Sequence, residues 1–153
     1  MDLDSHDIKL LALLQGNSRI SQRDLSSEVG LSASAVNRRI AAYEAAGIIS
    51  ANVAVVDPVK VGRPITVLVE VKVENERLDL LEEIKRRFSS CPQVQQVYYV
   101  TGEFDFMLIL NVRDMTEYDL LTRELFFSSG NVKTFKTYVA MQRIKVSLAV
   151  PLP

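Results

Sequence analysis

The 153-residue chain is 48% hydrophobic and 24% charged, a globular composition long enough for one ordinary domain or two small ones. Its net charge of −1 gives no general reason to expect a polyanionic partner, and the first 50 residues repeat that balance: Lys9, Arg19, Arg23, Arg38 and Arg39 stand against Asp2, Asp4, Asp7, Asp24, Glu28 and Glu44. The chain opens Met1-Asp2-Leu3-Asp4, acidic where a secretory signal is basic, and no apolar run approaches the ~18 residues needed to span a bilayer; a cytoplasmic protein without a membrane partner is the expectation.

In chain order, Ile8, Leu11 and Leu14, widened by Leu10 and Leu13, predict a helix from about Ser5 to Gln15 with Asp4 as N-cap, ended by Gly16-Asn17. Ser21-Gln22-Arg23-Asp24 resembles a capping box and starts a shorter helix that buries Leu25 and Val29. Gly30 breaks it, and Ser32 caps a third helix reaching about Ala46, with Gly47 as its stop. Two short helices across a tight glycine turn are the pattern of a helix-turn-helix, whose later helix enters the major groove.

At ~100° per residue, Val36, Ile40 and Tyr43 form the core stripe of the third helix. The opposite side carries Ser34, Arg38, Ala41 and Ala45, with Asn37 at its edge and no carboxylate in the first two turns. Small residues let a backbone approach groove walls, and Ser, Asn and Arg donate to bases and phosphates. The helix start also lacks an acid, which leaves its positive dipole end free for a phosphate. Gln22 and Arg23, beginning at the Ser21 cap, are placed to reach the backbone alongside. A second reading is a three-helix unit that docks on another protein, with Arg38 and Arg39 merely solvated.

Ile48 to Val56 is extended and β-branched, and Asp57-Pro58 with Gly62-Arg63-Pro64 punctuate it; residues 51–64 read as a linker strand between a domain at 1–50 and another at 65–153. Ile65 to Val73 alternates as a half-buried strand. Leu78, Leu81, Ile84 and Phe88 mark an amphipathic helix ending near Ser89, and Lys85, Arg86 and Arg87 sit where its dipole favours cations. Val94–Val100 and Phe106–Val112 read as strands, the second central because it is apolar on both faces. A helix over about Glu117–Phe127 turns Tyr118, Leu121 and Leu125 inward, Val132–Met141 is a fourth strand, and Ile144–Val150 is a candidate edge. This α+β order, βαββαβ, is that of a ferredoxin-like sheet with helices on one face; a second copy of the chain is the simplest cover for the other.

Catalytic constellations are absent. One cysteine, Cys91, and one histidine, His6, supply neither metal-ligand spacing nor a nucleophilic set, no phosphate or dinucleotide fingerprint occurs, and His6 reads as exposed on the first helix. No enzyme activity, metal or resident cofactor is expected. The turn Thr101-Gly102-Glu103-Phe104-Asp105 has two readings. Its glycine can present backbone N–H groups to a ligand carboxylate while Asp105 accepts from an amino group, as an α-amino acid requires, or Asp105 simply bonds its own backbone in a hairpin.

Leu3-Asp4 with Asp7, Arg19-Ile20-Ser21, Val29-Gly30-Leu31-Ser32, Arg39-Ile40, Gly47-Ile48-Ile49 and the Thr101–Asp105 turn recur in order from about Leu3 to Pro151, and together the chain resembles the Lrp/AsnC, or feast/famine, family of transcription regulators. The resemblance implies a helix-turn-helix joined to a ferredoxin-like effector and oligomerisation domain of the RAM type. It further implies double-stranded DNA as partner, dimers that often build octamers, and an amino acid or related effector bound between C-terminal domains near the glycine turn. By position it assigns Ser32, Ser34, Asn37, Arg38 and Arg39 to DNA, with Arg38 for the groove and Arg39 for a phosphate or a structural ion pair. Thr134 and Thr137 join the turn as effector candidates. The chain departs from the family at Glu103 and Phe104, where Asp and Tyr are common, at Asn52, where Tyr is common, and at Tyr43, where Leu is common.

Overall fold

The computed structural model describes residues 2–153. Helices α1 (Ser5–Gly16), α2 (Gln22–Val29) and α3 (Ala33–Ala45) are followed by β1 (Ile65–Val73), α4 (Leu78–Ser90), β2 (Val94–Tyr99), β3 (Phe106–Val112), α5 (Met115–Thr122) and β4 (Val132–Val139). The chain forms two units: one runs through Val55 and takes back Val146–Pro153, and the other is Val56–Lys145.

In the helical unit, Asp4 caps α1 by accepting from the Asp7 amide (2.8 Å) while the Asp7 carboxylate accepts from the Asp4 amide (2.9 Å), so the two aspartates close a reciprocal capping box. Gly30 ends α2 at φ 71°, a left-handed turn that costs a side-chain-bearing residue strain, and Ser32 then caps α3 by accepting from the Ala35 amide. Leu10, Leu11, Leu25, Val29, Val36 and Tyr43 make the core, with Ile40 half-buried beside them. His6 is half-buried rather than exposed: its Nδ1 donates to the Val29 carbonyl (3.1 Å) and so ties α1 to the end of α2.

In the other unit the four strands form one antiparallel sheet in the order β2-β3-β1-β4, with β1 running through the register Ile65↔Val112 to Val71↔Phe106 on one side and Val67↔Val139 to Lys72↔Thr134 on the other. Val67, Val69, Val71 and Val73 of β1 and Phe106, Leu108, Leu110 and Val112 of β3 meet Leu81, Ile84 and Phe88 of α4 in a single apolar core. Leu78, counted in the α4 stripe from sequence, is exposed, because it opens the helix before the stripe reaches the sheet. The helix α5 widens into a π turn over Arg123–Phe127, and the extra residue brings both Leu125 and Phe126 inward, whereas helical spacing alone predicts only Leu125.

Two expected strands do not form among the described residues. The linker segment 51–57 and the segment Ile144–Val150 are irregular, with Val53, Val55, Ile144 and Leu148 exposed. Alternating apolar residues supply only one half of a ladder; a strand also needs a neighbour for its N–H and C=O groups, and this chain offers those segments none. Instead the linker is fastened at its far end, where Arg63 donates to both carboxylate oxygens of buried Glu117 (3.2 and 3.3 Å).

Candidate nucleic-acid interface and effector face

The face of α3 that carries Ser34, Asn37, Arg38, Ala41 and Ala45 is exposed along its whole length, and Ser32 and Ser34 touch through their hydroxyls (3.2 Å) at its start. No acid stands in the first turn of α3, whereas α1 and α2 carry Asp7 and Asp24 there. The free dipole end and the small polar face are therefore presented together. Ser21, Gln22 and Arg23 are exposed at the start of α2. Ser21 is occupied as its cap, accepting from the Asp24 amide (3.1 Å) and donating to the Asp24 carboxylate (2.6 Å).

The two neighbouring arginines of α3 have separate environments. Arg38 makes no hydrogen bond or ion pair among the described residues and projects from the exposed face. Arg39 is committed to two carboxylates: Nη2 lies 2.9 Å from Asp4, and Nη1 donates to Asp7, which also accepts from the Tyr43 hydroxyl. Of the two roles left open for Arg39, this geometry makes the structural ion pair. Asp7 is only 3% exposed. Burial works to raise its pKa, but the donors Tyr43, Asp4 and Arg39 outweigh it and hold the carboxyl at about 2. The Tyr43 hydroxyl is pushed up in turn by burial and by the anion it donates to.

The sequence marks Asp7 only as one acid of the first 50 residues and part of a family motif, not as the hub between α1 and α3. Two signals point there: at ~100° per residue Arg39 lies nearer the core edge of α3 than Arg38 does, and a tyrosine on a core stripe needs a partner for its hydroxyl. Asn52, the departure just past α3, donates to Glu44 (3.0 Å) and ties the chain leaving the helix back to its surface.

On the sheet unit, the Thr101–Asp105 turn joins β2 to β3, with Gly102 at φ 121°, open only to glycine without strain. Asp105 is structural in this arrangement. Its carboxylate accepts from the Val73 amide (2.8 Å) where β1 shifts register, its own amide donates to Val71, and its carbonyl accepts from Val100. The two threonine candidates part company, since one is even-numbered and one odd on the same strand. Thr134 pairs with Lys72 on the face away from the helices, whereas Thr137 pairs with Val69 on the helix-facing side and meets the Tyr118 hydroxyl. The two side chains therefore lie on opposite faces of the sheet.

Beside the turn, Glu103, Phe104 and Thr134 border a shallow concavity with Glu70, Lys72 and Lys136. The last three were missed because, in an alternating strand, charged residues read as an ordinary solvent face. The sheet face away from the helices continues from there through half-buried Leu68, Met107 and Ile109.

A helix-turn-helix with an acid-free recognition face, joined to an antiparallel βαββαβ domain, defines a DNA-binding regulator of two domains. Residues 3–50 match the winged helix-turn-helix DNA-binding family and residues 66–150 the Lrp/AsnC ligand-binding domain. The chain is 41% identical to a helix-turn-helix-type transcriptional regulator of Sinorhizobium fredii, covering 99% of this chain and 90% of that one. It is 36% identical to the glutamate uptake regulatory protein of Zymomonas mobilis, covering 99% and 92%. Among solved structures, a transcriptional regulator of Neisseria meningitidis in complex with L-methionine superposes with a TM-score of 0.92 at 28% identity, covering 98% and 97%. The chain belongs to the Lrp/AsnC family, whose members are transcription regulators and not enzymes. No helix among the described residues is long and apolar enough to cross a membrane.

Proposed function

We propose that this regulator binds specific duplex sites as a homo-oligomer and that an amino acid or related small molecule, bound between its C-terminal domains, modulates that binding. The observation that carries the DNA contact is the division of labour on α3, where Asp4 and Asp7 hold Arg39 while Arg38 stays free on an acid-free face. Arg38 and Asn37 read base edges, Ser32 and Ser34 approach the backbone at the dipole end, and Ser21, Gln22 and Arg23 contact phosphates alongside. Arg39 orients the helix instead of touching DNA.

Effector binding draws support from the ligand-binding domain match and from the methionine complex of the Neisseria relative. In the concavity, Lys72 and Lys136 suit a carboxylate, Glu70 and Glu103 an ammonium, and Gly102 opens the turn's backbone to the same ligand. Phe104 offers an apolar contact in place of a hydroxyl, so selectivity at that position rests on packing. The sheet face bearing Leu68, Met107 and Ile109 is the surface on which a second copy would pack.

A thermal-shift screen of the twenty amino acids, with light scattering on the same samples, tests both claims. At least one amino acid should raise the melting temperature in a saturable way, and the scattering mass should be a multiple of the monomer. Affinity for a selected duplex should fall log-linearly with salt. No duplex binding at low salt, with or without amino acids, would leave the rival reading of a metabolite-sensing module that docks on protein.

A further inference from the structure

The helical unit is assembled from two stretches of chain, with the whole sheet unit inserted between them in sequence. Its second stretch, Val146–Pro153, is fastened at two points. Gln15, on the last turn of α1, spends both ends of its carboxamide on one residue: Nε2 donates to the Val150 carbonyl (3.0 Å) and Oε1 accepts from the Val150 amide (2.8 Å). Two residues on, Leu152 packs against the Leu10, Leu11, Leu25, Val29, Val36 and Tyr43 core.

The grip is on the backbone: both bonds go to the Val150 peptide groups, while the residue is 61% exposed and Leu148, two positions earlier, is 79% exposed. A side-chain amide satisfying both polar groups of a peptide does what a neighbouring strand would do for that residue. Pro151 between the anchors has no N–H to leave unpaired and restricts the chain on either side, which keeps the Val150 backbone and the Leu152 side chain in a set relation. Nothing in the composition of an exposed, irregular segment requires these contacts.

We propose that the C-terminal tail is a working part of the DNA-binding unit, and that Gln15 and Leu152 are positioning residues that steady α1 and, through the Asp7–Arg39 ion pair, the recognition helix α3. The DNA-binding unit is consequently joined to the effector unit by two covalent connections, the linker and the segment entering the tail.

The test uses the full chain, a chain ended at Lys145, Gln15→Ala, Leu152→Asp, the conservative Leu152→Met, and Leu148→Asp as a control in the same tail. Amide exchange is read in α1, α3 and β3, and affinity is measured for a duplex of about 30 base pairs selected from a random pool by the unaltered chain. Ending the chain at Lys145 should speed exchange in α1 and α3 about a hundred-fold, leave β3 protected, and weaken DNA binding; Gln15→Ala and Leu152→Asp should each give about ten-fold, from lost hydrogen bonds and lost burial respectively. Leu152→Met should restore both readouts, and Leu148→Asp should change neither. Unchanged α1 exchange in the shortened chain would overturn the proposal, as would an equal effect of Leu148→Asp. So would a change confined to the scattering mass, which would make the tail an assembly element. Failure to select any duplex would count against DNA recognition alone, and the exchange readout would still decide the tail.

Discussion

Each unit buries one carboxylate and gives it an arginine, yet the two do different work. Asp7, between α1 and α3, accepts from Arg39 and from Tyr43, whose side chain is fully buried, in a unit with six buried apolar residues among those described. Glu117, 8% exposed at the margin of the larger sheet core, accepts from Arg63, Gln93 and the Arg113 amide and fastens the incoming linker. Its pKa also lies at about 2, because those donors outweigh the burial that would raise it. A polar hub can orient a helix where the apolar core is too small to do so alone; beside a large core it only pins a loop.

Cutting each hub should expose that difference, and the largest effect belongs to Asp7→Ala. Arg39 would keep Asp4, but the Tyr43 hydroxyl deep in the core would lose its acceptor, at a cost of about 3 kcal/mol, loosening the helical unit while β3 stays protected from exchange. Glu117→Ala should cost less, about 1–2 kcal/mol, because Arg63 and Arg113 are exposed enough to be rehydrated. Equal losses by calorimetry would erase the distinction.

Arg38→Ala should weaken binding to a selected duplex by about 1–3 kcal/mol with no change in melting temperature or assembly. Arg39→Ala should lower melting temperature and binding together, and a variant that weakens binding alone would return Arg39 to the DNA interface.

Acid should act on both hubs with one sign. Asp7 and Glu117 have folded-state pKa values of about 2, below their ordinary values, so their stabilisation is present above about pH 4 and is lost as pH falls toward 2. Asp7→Asn should flatten that loss in the helical unit only, as read by exchange of α3 against β3. The smallest effect is expected at the turn: Asp105→Ala removes one hydrogen bond to the Val73 amide and should cost about 1 kcal/mol without ligand. Ligand-induced stabilisation that survives in this variant would leave Asp105 with the structural role alone.

What the sequence determined by itself was local and periodic. Caps at Asp4, Ser21 and Ser32, the left-handed turn at Gly30, and the two-residue alternation of β1 depend on neighbours a few positions away, and the acid-free face of α3 follows from helical spacing alone. Family motifs extended this to the order of domains. Tertiary structure decided everything that needed a distant partner: Asp7 as a hub for a residue 32 positions on, Arg39 withdrawn from the Arg38 face, Thr134 and Thr137 set on opposite sides of the sheet, and Gln15 paired with a residue 135 positions away. It also left the linker and Ile144–Val150 without ladders, because alternation can propose a strand but only a second strand can complete one.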